Sequence, residues 1–262
     1  MKSFQKFKNK QKMFINIKFR VFLILVLTIN TFFSCSAQNS EGAILVFSKT
    51  AGWYHESIPA GNAALIKLGQ ENNIKVDTTT NAEFFTEKKL KNYDAVIFLS
   101  TTGDVFNDKQ KKALKRYIQA GNGFVGIHGA SDTEHNWPWY GEMVGAYFEN
   151  HPEVQEAVLV NHNQEHPSTA HLPKKWRRTD EYYNFYNLNP EVNVLLTIDE
   201  DSYQGGAHQG YHPMAWYHEY DGGRAFYTAL GHLNENFSDP FFLQHLLGGI
   251  HYAMGEGEKS KL

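Results

Sequence analysis

The chain has 262 residues, of which 42% are hydrophobic and 20% are charged, a composition that excludes disordered, collagen-like and coiled-coil proteins. The first 34 residues carry seven basic and no acidic side chains, so the other 18 basic and 28 acidic residues give residues 35–262 a net charge of −10. An acidic chain is poorly suited to bind a phosphate backbone, so we expect no nucleic-acid partner.

The N-terminal segment has the pattern of an export signal, because a basic stretch precedes the short apolar run Val21–Ile29 and small residues follow it. The run is shorter than a membrane-spanning helix requires. Cys35, the only cysteine, is either the lipidated first residue of a lipoprotein or is removed by cleavage after Ala37, and an uncut anchor is the third alternative. We predict that residues 1–37 direct the protein to the periplasm or outer membrane of a Gram-negative bacterium. Contact with the membrane would then run only through a lipid on Cys35.

Strands and helices alternate in the first half of the chain. Short apolar runs predict buried strands at 43–47, 74–78, 95–99 and 123–127. Apolar spacing predicts a helix from Ser57, as N-cap, to about residue 73. A second helix begins with a capping box of Asn107 and Gln110 and stops at Gly121. This alternation predicts right-handed βαβ units and a parallel sheet.

The second half is less regular, but no linker or repeat interrupts it. Strands are predicted at 154–160 and 192–198, and a hairpin at 214–229 turns at Asp221–Gly223. A closing helix is predicted at 241–254, and His162–Tyr186 is expected to be a surface loop. We therefore predict one α/β domain over residues 42–256.

Ligands of an open parallel sheet bind at the carboxyl ends of its strands. His55, His128 and His232 each follow a predicted strand, and Asp132 lies in the segment after His128. Two familiar motifs fail on context: the GxGxxG pattern at 121–126 closes a helix, and the HxxEH pattern at 162–166 runs into a proline. The aromatic stretch that begins at Trp137 has two readings, core packing or stacking on a sugar ring.

Several stretches together resemble the ThuA-like (trehalose utilisation) family. They read VFSKTAGWYHESIPAG, GNGFVGIHGASDTEHNWPWYGEMVGAYFENHP, RRTDEYYNF and GGRAFYTALGHLNENFSDPFFLQHLLGGIHYA, and the resemblance spans residues 43–254. It implies a flavodoxin-like α/β/α sandwich similar to class I glutamine amidotransferases, with a mostly parallel sheet and an added antiparallel hairpin. The matching residues are His55, His128, Asp132, His151, Asp180, Glu181, Tyr183, Gly231 and His232.

The resemblance implies a substrate class but not a reaction. In the amidotransferase relatives a cysteine on a tight turn after a strand is the nucleophile, whereas the matching turn here carries His128 and the domain contains no cysteine. Amidotransferase chemistry is therefore excluded. The family is associated with disaccharides and oxidised (keto) sugars, so we expect a hydrolase, lyase or isomerase acting on a disaccharide, glycoside or keto-sugar. A non-catalytic sugar-binding or partner protein is the alternative.

The candidate residues suit acid–base work beside a sugar carbonyl. We expect His128 to be the base, with Glu181, Asp132 and His232 as further catalytic groups. The substrate-binding candidates are His55, Trp137, Tyr183 and His151. The same residue types could instead hold a divalent metal such as zinc. A homo-oligomer is compatible with the sequence.

Overall fold

A computed structural model describes residues 42–255 of the protein. The predicted export signal at 1–37, with Cys35, and residue 256 lie outside the described residues. Within the described range, eleven strands and five helices form an α/β fold. The strands are β1 (Gly42–Phe47), β2 (Ile74–Thr79), β3 (Ala95–Leu99), β4 (Gly123–Ile127), β5 (Tyr147–Asn150), β6 (Gln155–Asn161), β7 (Lys175–Asp180), β8 (Asn184–Tyr186), β9 (Asn193–Ile198), β10 (His212–Tyr220) and β11 (Gly223–Thr228). The helices are α1 (Ile58–Glu71), α2 (Glu87–Leu90), α3 (Asp108–Gln119), α4 (Pro138–Val144) and α5 (Pro240–Met254).

Nine of these strands form one sheet in the order β2-β1-β3-β4-β11-β10-β9-β6-β7, and β5 pairs with β8 separately. Neighbours from β2 to β11 run parallel, and those from β11 to β7 run antiparallel. The predicted adjacency of β1, β3 and β4 and the predicted β10–β11 hairpin are confirmed. The antiparallel part also includes β9, β6 and β7, so it is larger than the single hairpin that the sequence suggested.

The core follows from strands that are apolar on both faces. Every residue of β3, Ala95–Leu99, is fully buried, and β1 and β4 are nearly as apolar. Helices α1 and α5 contact each other, as do α2 and α3, so that helical layers cover the sheet. The α/β sandwich implied by the family resemblance is confirmed, as is the parallel sheet predicted from the alternation of elements. Among residues 42–255, no helix has both the length and the apolar character needed to cross a membrane.

The capping box that opens α3 is present as predicted, because the Asn107 side chain accepts from the Gln110 amide and the Gln110 side chain accepts in return. Ser57 occupies the predicted N-cap position of α1, but its backbone is already helical and its side chain does not cap the helix. The Ser57 hydroxyl instead donates to the Gly231 carbonyl at 3.1 Å, so it ties the start of α1 to the segment after β11.

The expectation of a continuous loop at 162–186 is wrong, because this segment contains β7 and β8. Strand β7 reads KWRRTD, and its side chains alternate between exposed and buried. Arg178 and Asp180 occupy buried positions where an apolar residue is usual, and they pair with each other at 3.3 Å. Two charged residues on the inner face concealed the two-residue periodicity that identifies a strand.

Candidate functional site

Three parallel strands bring histidines to one edge of the sheet. His128 directly follows β4, and His55 and His232 come from the loops after β1 and β11. The backbone makes tight turns here: His128 has a φ of +50° and Gly231 a φ of +114°. A side chain at the Gly231 position would be strained whatever the space, so glycine permits the turn that presents His232.

His128 is fixed by its surroundings and is completely buried. Its Nδ1 lies 2.7 Å from the Ala229 carbonyl oxygen, which can only accept, so Nδ1 carries a proton and Nε2 is bare in the neutral ring. That Nε2 faces His232 Nδ1 at 3.2 Å and Glu181 Oε2 at 3.4 Å. His128 itself is therefore shielded from solvent, whereas its neighbours His232 and Glu181 are 24% and 8% exposed.

Glu181 is the centre of a cluster of side chains that also contains His55, His128, His151 and His232. Its Oε2 lies 3.1 Å from His232 Nδ1 as well as 3.4 Å from His128 Nε2, and its Oε1 lies 3.1 Å from His151 Nδ1. The carboxylate is 8% exposed whereas His151 is 42% exposed. One almost buried carboxylate thus has three imidazoles as neighbours, and His151 is the most accessible of them.

The electrostatics follow from burial and from these contacts. Burial by itself would raise the pKa of Glu181, but the hydrogen bonds and charges of His128 and His232 outweigh it and bring that pKa well below its usual range. Burial tends to lower the pKa of His232, and the Glu181 carboxylate more than compensates, so the pKa rises. Burial, followed by the charges of His128 and His232, lowers the pKa of His55 to about 3. His55 is therefore a neutral imidazole at physiological pH.

Tyr183 links two of these histidines. Its hydroxyl lies 3.2 Å from His55 Nε2, and its ring lies against His128 with centroids 4.3 Å apart. His212 Nε2 donates to the Tyr183 carbonyl at 2.7 Å. Tyr183 is itself buried and packs beneath these histidines, and part of its side chain lines a cavity.

A cavity of about 500 Å³ opens above the cluster. Its wall combines polar and aromatic side chains: Trp53, His55, Asp132, Phe148, His151, Glu153, Val154, Glu181, Tyr183 and His232. Trp53 is 72% exposed, so its indole is accessible to a molecule in the cavity. Sequence reasoning did not single out Trp53 or Phe148.

The comparisons with known proteins agree with this fold. The family profile described as ThuA, trehalose utilisation, matches residues 43–253. The chain belongs to the ThuA family. Its fold is similar to a ThuA-like protein from Bacteroides uniformis ATCC 8492, with 22% identity, a TM-score of 0.72, and coverage of 87% of this chain and 97% of that one.

Two further structures share the fold of this ThuA-family protein. The ThuA-like protein from Parabacteroides merdae ATCC 43184 has 20% identity and a TM-score of 0.70, over 81% of this chain and 90% of that one. A cytoplasmic protein from Salmonella typhimurium LT2 has 16% identity and a TM-score of 0.61, over 80% and 99%. No curated protein sequence matches the chain.

Two predicted site residues, Asp132 and Trp137, contact side chains outside the histidine cluster. Asp132 lines the cavity, but its partner is His135 Nε2 at 2.8 Å and not a histidine of the cluster. Trp137 does not line this cavity. It is half-buried, its ring stacks on Trp139 with centroids 5.0 Å apart, and the Lys111 ammonium lies over it. Trp137 is therefore no part of this cavity wall, and its predicted stacking on a sugar ring stays a prediction.

Asp180 was marked only by the family resemblance, and its neighbours Asn236 and Arg178 were not predicted. Asp180 is fully buried, and its two oxygens accept from the backbone of Glu181, Gly231 and His232 and from the Asn236 side chain, at 2.7–3.1 Å. The carboxylate thereby joins the end of β7 to the turn after β11. It fixes both Glu181 and His232 without reaching the cavity.

Proposed function

We propose that this ThuA-family protein processes a carbohydrate of the disaccharide, glycoside or keto-sugar class by acid–base chemistry at the cluster. The observation that carries the proposal is the contact of Glu181 with three imidazoles, at 3.1–3.4 Å, on the floor of a cavity. Groups that share protons in this way can take a proton from one atom of a substrate and return it to another. The family description, trehalose utilisation, supports the substrate class.

The reaction that suits these groups is proton removal beside a sugar carbonyl. Asp132, His151, Glu181 and His232 line the cavity and can exchange a proton with a bound molecule. His128 is buried beneath them and acts through Glu181 and His232. A carbonyl makes the neighbouring C–H acidic enough for a carboxylate or an imidazole to act as the base, which is why a keto-sugar is our preferred substrate.

The cavity wall supports a sugar ligand. Trp53 presents an exposed indole at the mouth, and Phe148 lies deeper with its ring 4.4 Å from that of Tyr183. Flat aromatic faces complement the C–H faces of a sugar ring, while the carboxylates and imidazoles match its hydroxyl groups. The volume, about 500 Å³, is within the range of about 300–1,000 Å³ usual for small-molecule sites.

The test is turnover of a keto-derivative of trehalose, followed by chromatography of the products. Glu181→Gln should reduce kcat by about a hundredfold or more, because it removes the carboxylate through which the three imidazoles are linked. Glu156→Gln is the control, because Glu156 is an exposed carboxylate that pairs with Arg177 on the next strand. Absence of turnover, combined with a rise in melting temperature on adding the sugar, would instead establish a non-catalytic binding protein.

We further propose that the N-terminal segment is an export signal, which is cleaved either before Cys35, so that Cys35 carries a lipid, or after Ala37. The support is the basic and then apolar pattern of the sequence. Mass spectrometry of the protein purified from its native membrane should show an acylated Cys35, or an N-terminus at Gln38 if cleavage follows Ala37. An intact Met1 on the mature protein would contradict the proposal.

A further inference from the structure

Three donor atoms of the cluster form a nearly equilateral triangle. His128 Nε2 and His232 Nδ1 lie 3.2 Å apart, and Glu181 Oε2 lies 3.4 Å from the first and 3.1 Å from the second. Ligands bound to one cation at 2.0–2.2 Å are separated from each other by about 3–3.5 Å. The triangle therefore has the dimensions of one face of a metal coordination shell.

The three atoms of this triangle carry too few protons to satisfy one another. The Nδ1 proton of His128 is directed at the Ala229 carbonyl, so the neutral ring offers only a lone pair at Nε2. Glu181 Oε2 offers lone pairs as well. His232 Nδ1 carries at most one hydrogen, which cannot point at both of these acceptors at once. Two acceptor atoms 3.4 Å apart repel unless a shared proton or a cation lies between them.

His55 extends the triangle to four donors. One donor atom from each of His55, His128, Glu181 and His232 lies within 4.8 Å of all the others. The His55 ring is buried against both other imidazoles, with centroids 4.7 Å from that of His128 and 5.5 Å from that of His232. Within the described part of the chain, its Nδ1 has no hydrogen-bond partner. A buried imidazole with an unused nitrogen costs free energy unless something binds it.

The surroundings of these donors are those expected around bound metal. A metal-bound imidazole usually donates its other N–H to a backbone carbonyl or carboxylate, which fixes the ring, and His128 does so with Ala229. Asp180 accepts hydrogen bonds from the backbone of Glu181 and of His232, so that two of the four donors are held by the same buried group. The donors are thus oriented without any help from substrate.

From this geometry we propose that His55, His128, Glu181 and His232 bind one divalent transition-metal ion, for which zinc is the best match. Three imidazoles and one carboxylate suit zinc and its first-row neighbours, whereas magnesium and calcium prefer an all-oxygen shell. The inference deepens the proposed function and rests on it only for its role in catalysis. A cation here would polarise a sugar carbonyl, and proton transfer would pass to Asp132 and His151, which line the cavity outside the donor set.

The experiment measures metal binding directly. The purified full chain is stripped with a chelator, and zinc is then added in an isothermal titration, with magnesium added in a parallel run. We expect one zinc per chain and no comparable binding of magnesium. Glu181→Gln and His232→Ala should each weaken zinc binding by at least about tenfold to a hundredfold. His162→Ala, which removes an exposed imidazole that bonds to the Thr197 hydroxyl, should leave it unchanged.

Folding is checked for every variant by circular dichroism, and cobalt is substituted for zinc as a second readout. Visible absorption bands of a cobalt site with nitrogen ligands should appear in the wild type and be lost in Glu181→Gln. Failure of the folded wild type to bind zinc, or equal loss of binding in His162→Ala, would overturn the inference. Turnover of keto-trehalose by the metal-free protein would overturn the catalytic role of the metal but leave the proposed function standing. Zinc binding without turnover of any sugar would support the metal site but contradict the proposed function.

Discussion

Replacement of Asp180 by asparagine tests the structural basis of the site. The Asp180 Oδ1 accepts from the amides of Glu181 at 3.0 Å and His232 at 3.1 Å, and Oδ2 accepts from the Gly231 amide at 3.0 Å and Asn236 Nδ2 at 2.7 Å. Asparagine keeps one oxygen and turns the other acceptor into an NH₂ donor. Whichever way it rotates, two buried donors then face a third donor.

The loss follows from the burial of the carboxylate. A hydrogen bond to a charged group is worth about 1.5–3 kcal/mol, and two such bonds are lost. The Arg178 guanidinium, 5% exposed, also loses its buried partner at 3.3 Å, and breaking a buried pair typically costs about 3–5 kcal/mol. Because these contributions overlap, we expect the free energy of unfolding to fall by about 3–5 kcal/mol. For a domain of this size the melting temperature should fall by about 6–20 °C.

Urea and thermal unfolding, followed by circular dichroism, measure this loss. The matched control is Glu156→Gln, which removes an exposed carboxylate that pairs with Arg177 across β6 and β7. An exposed pair contributes at most about 1 kcal/mol. A change of less than about 1 kcal/mol for Asp180→Asn, no larger than that of the control, would refute the argument that this carboxylate holds β7 to the turn after β11.

Two other outcomes follow from burial and exposure. Trp53→Ala should raise KM for the sugar several-fold with little change in kcat or in melting temperature, because the 72% exposed indole packs on little else; an unchanged KM in steady-state kinetics would remove it from the binding surface. Burial lowers the pKa of His245 to about 3, so below pH 6.5 the unfolded chain takes up a proton that the folded protein cannot. Unfolding titrations should therefore show a lower free energy of unfolding at pH 5 than at pH 7, by about 2 kcal/mol for this group. His245→Asn should reduce that fall, and an equal fall in both proteins would contradict the assignment.

The parallel half of the fold could be predicted from the sequence because its strands are buried on both faces. Runs such as Ala95–Leu99 have no polar residue to obscure them. Strand β7 could not be predicted in this way, because two charged residues, Arg178 and Asp180, pair on its inner face. Ser57 stands where a helix cap is expected, but the Gly231 carbonyl competes for its hydroxyl, and no local pattern reveals a partner 174 positions away.

The candidate site shows the same division between local and distant information. The placement of His55, His128 and His232 at one edge follows from strand order, which the apolar runs predict. The burial of His128 does not, because it depends on how Glu181 and His232 cover it. Trp53 was overlooked for the same reason: only the packed structure distinguishes an exposed indole at the cavity from Trp137, which stacks on Trp139.

A crystal structure of the zinc-loaded protein soaked with a keto-disaccharide tests the central claim most directly. We predict that the sugar lies in the cavity above Glu181, with a ring against Trp53. Its carbonyl oxygen should point to the zinc ion held by the four proposed donors. A competing place exists, the groove lined by Tyr147, Tyr186 and Tyr220, among others. A sugar bound in that groove, with the cavity above Glu181 lacking it, would contradict the account.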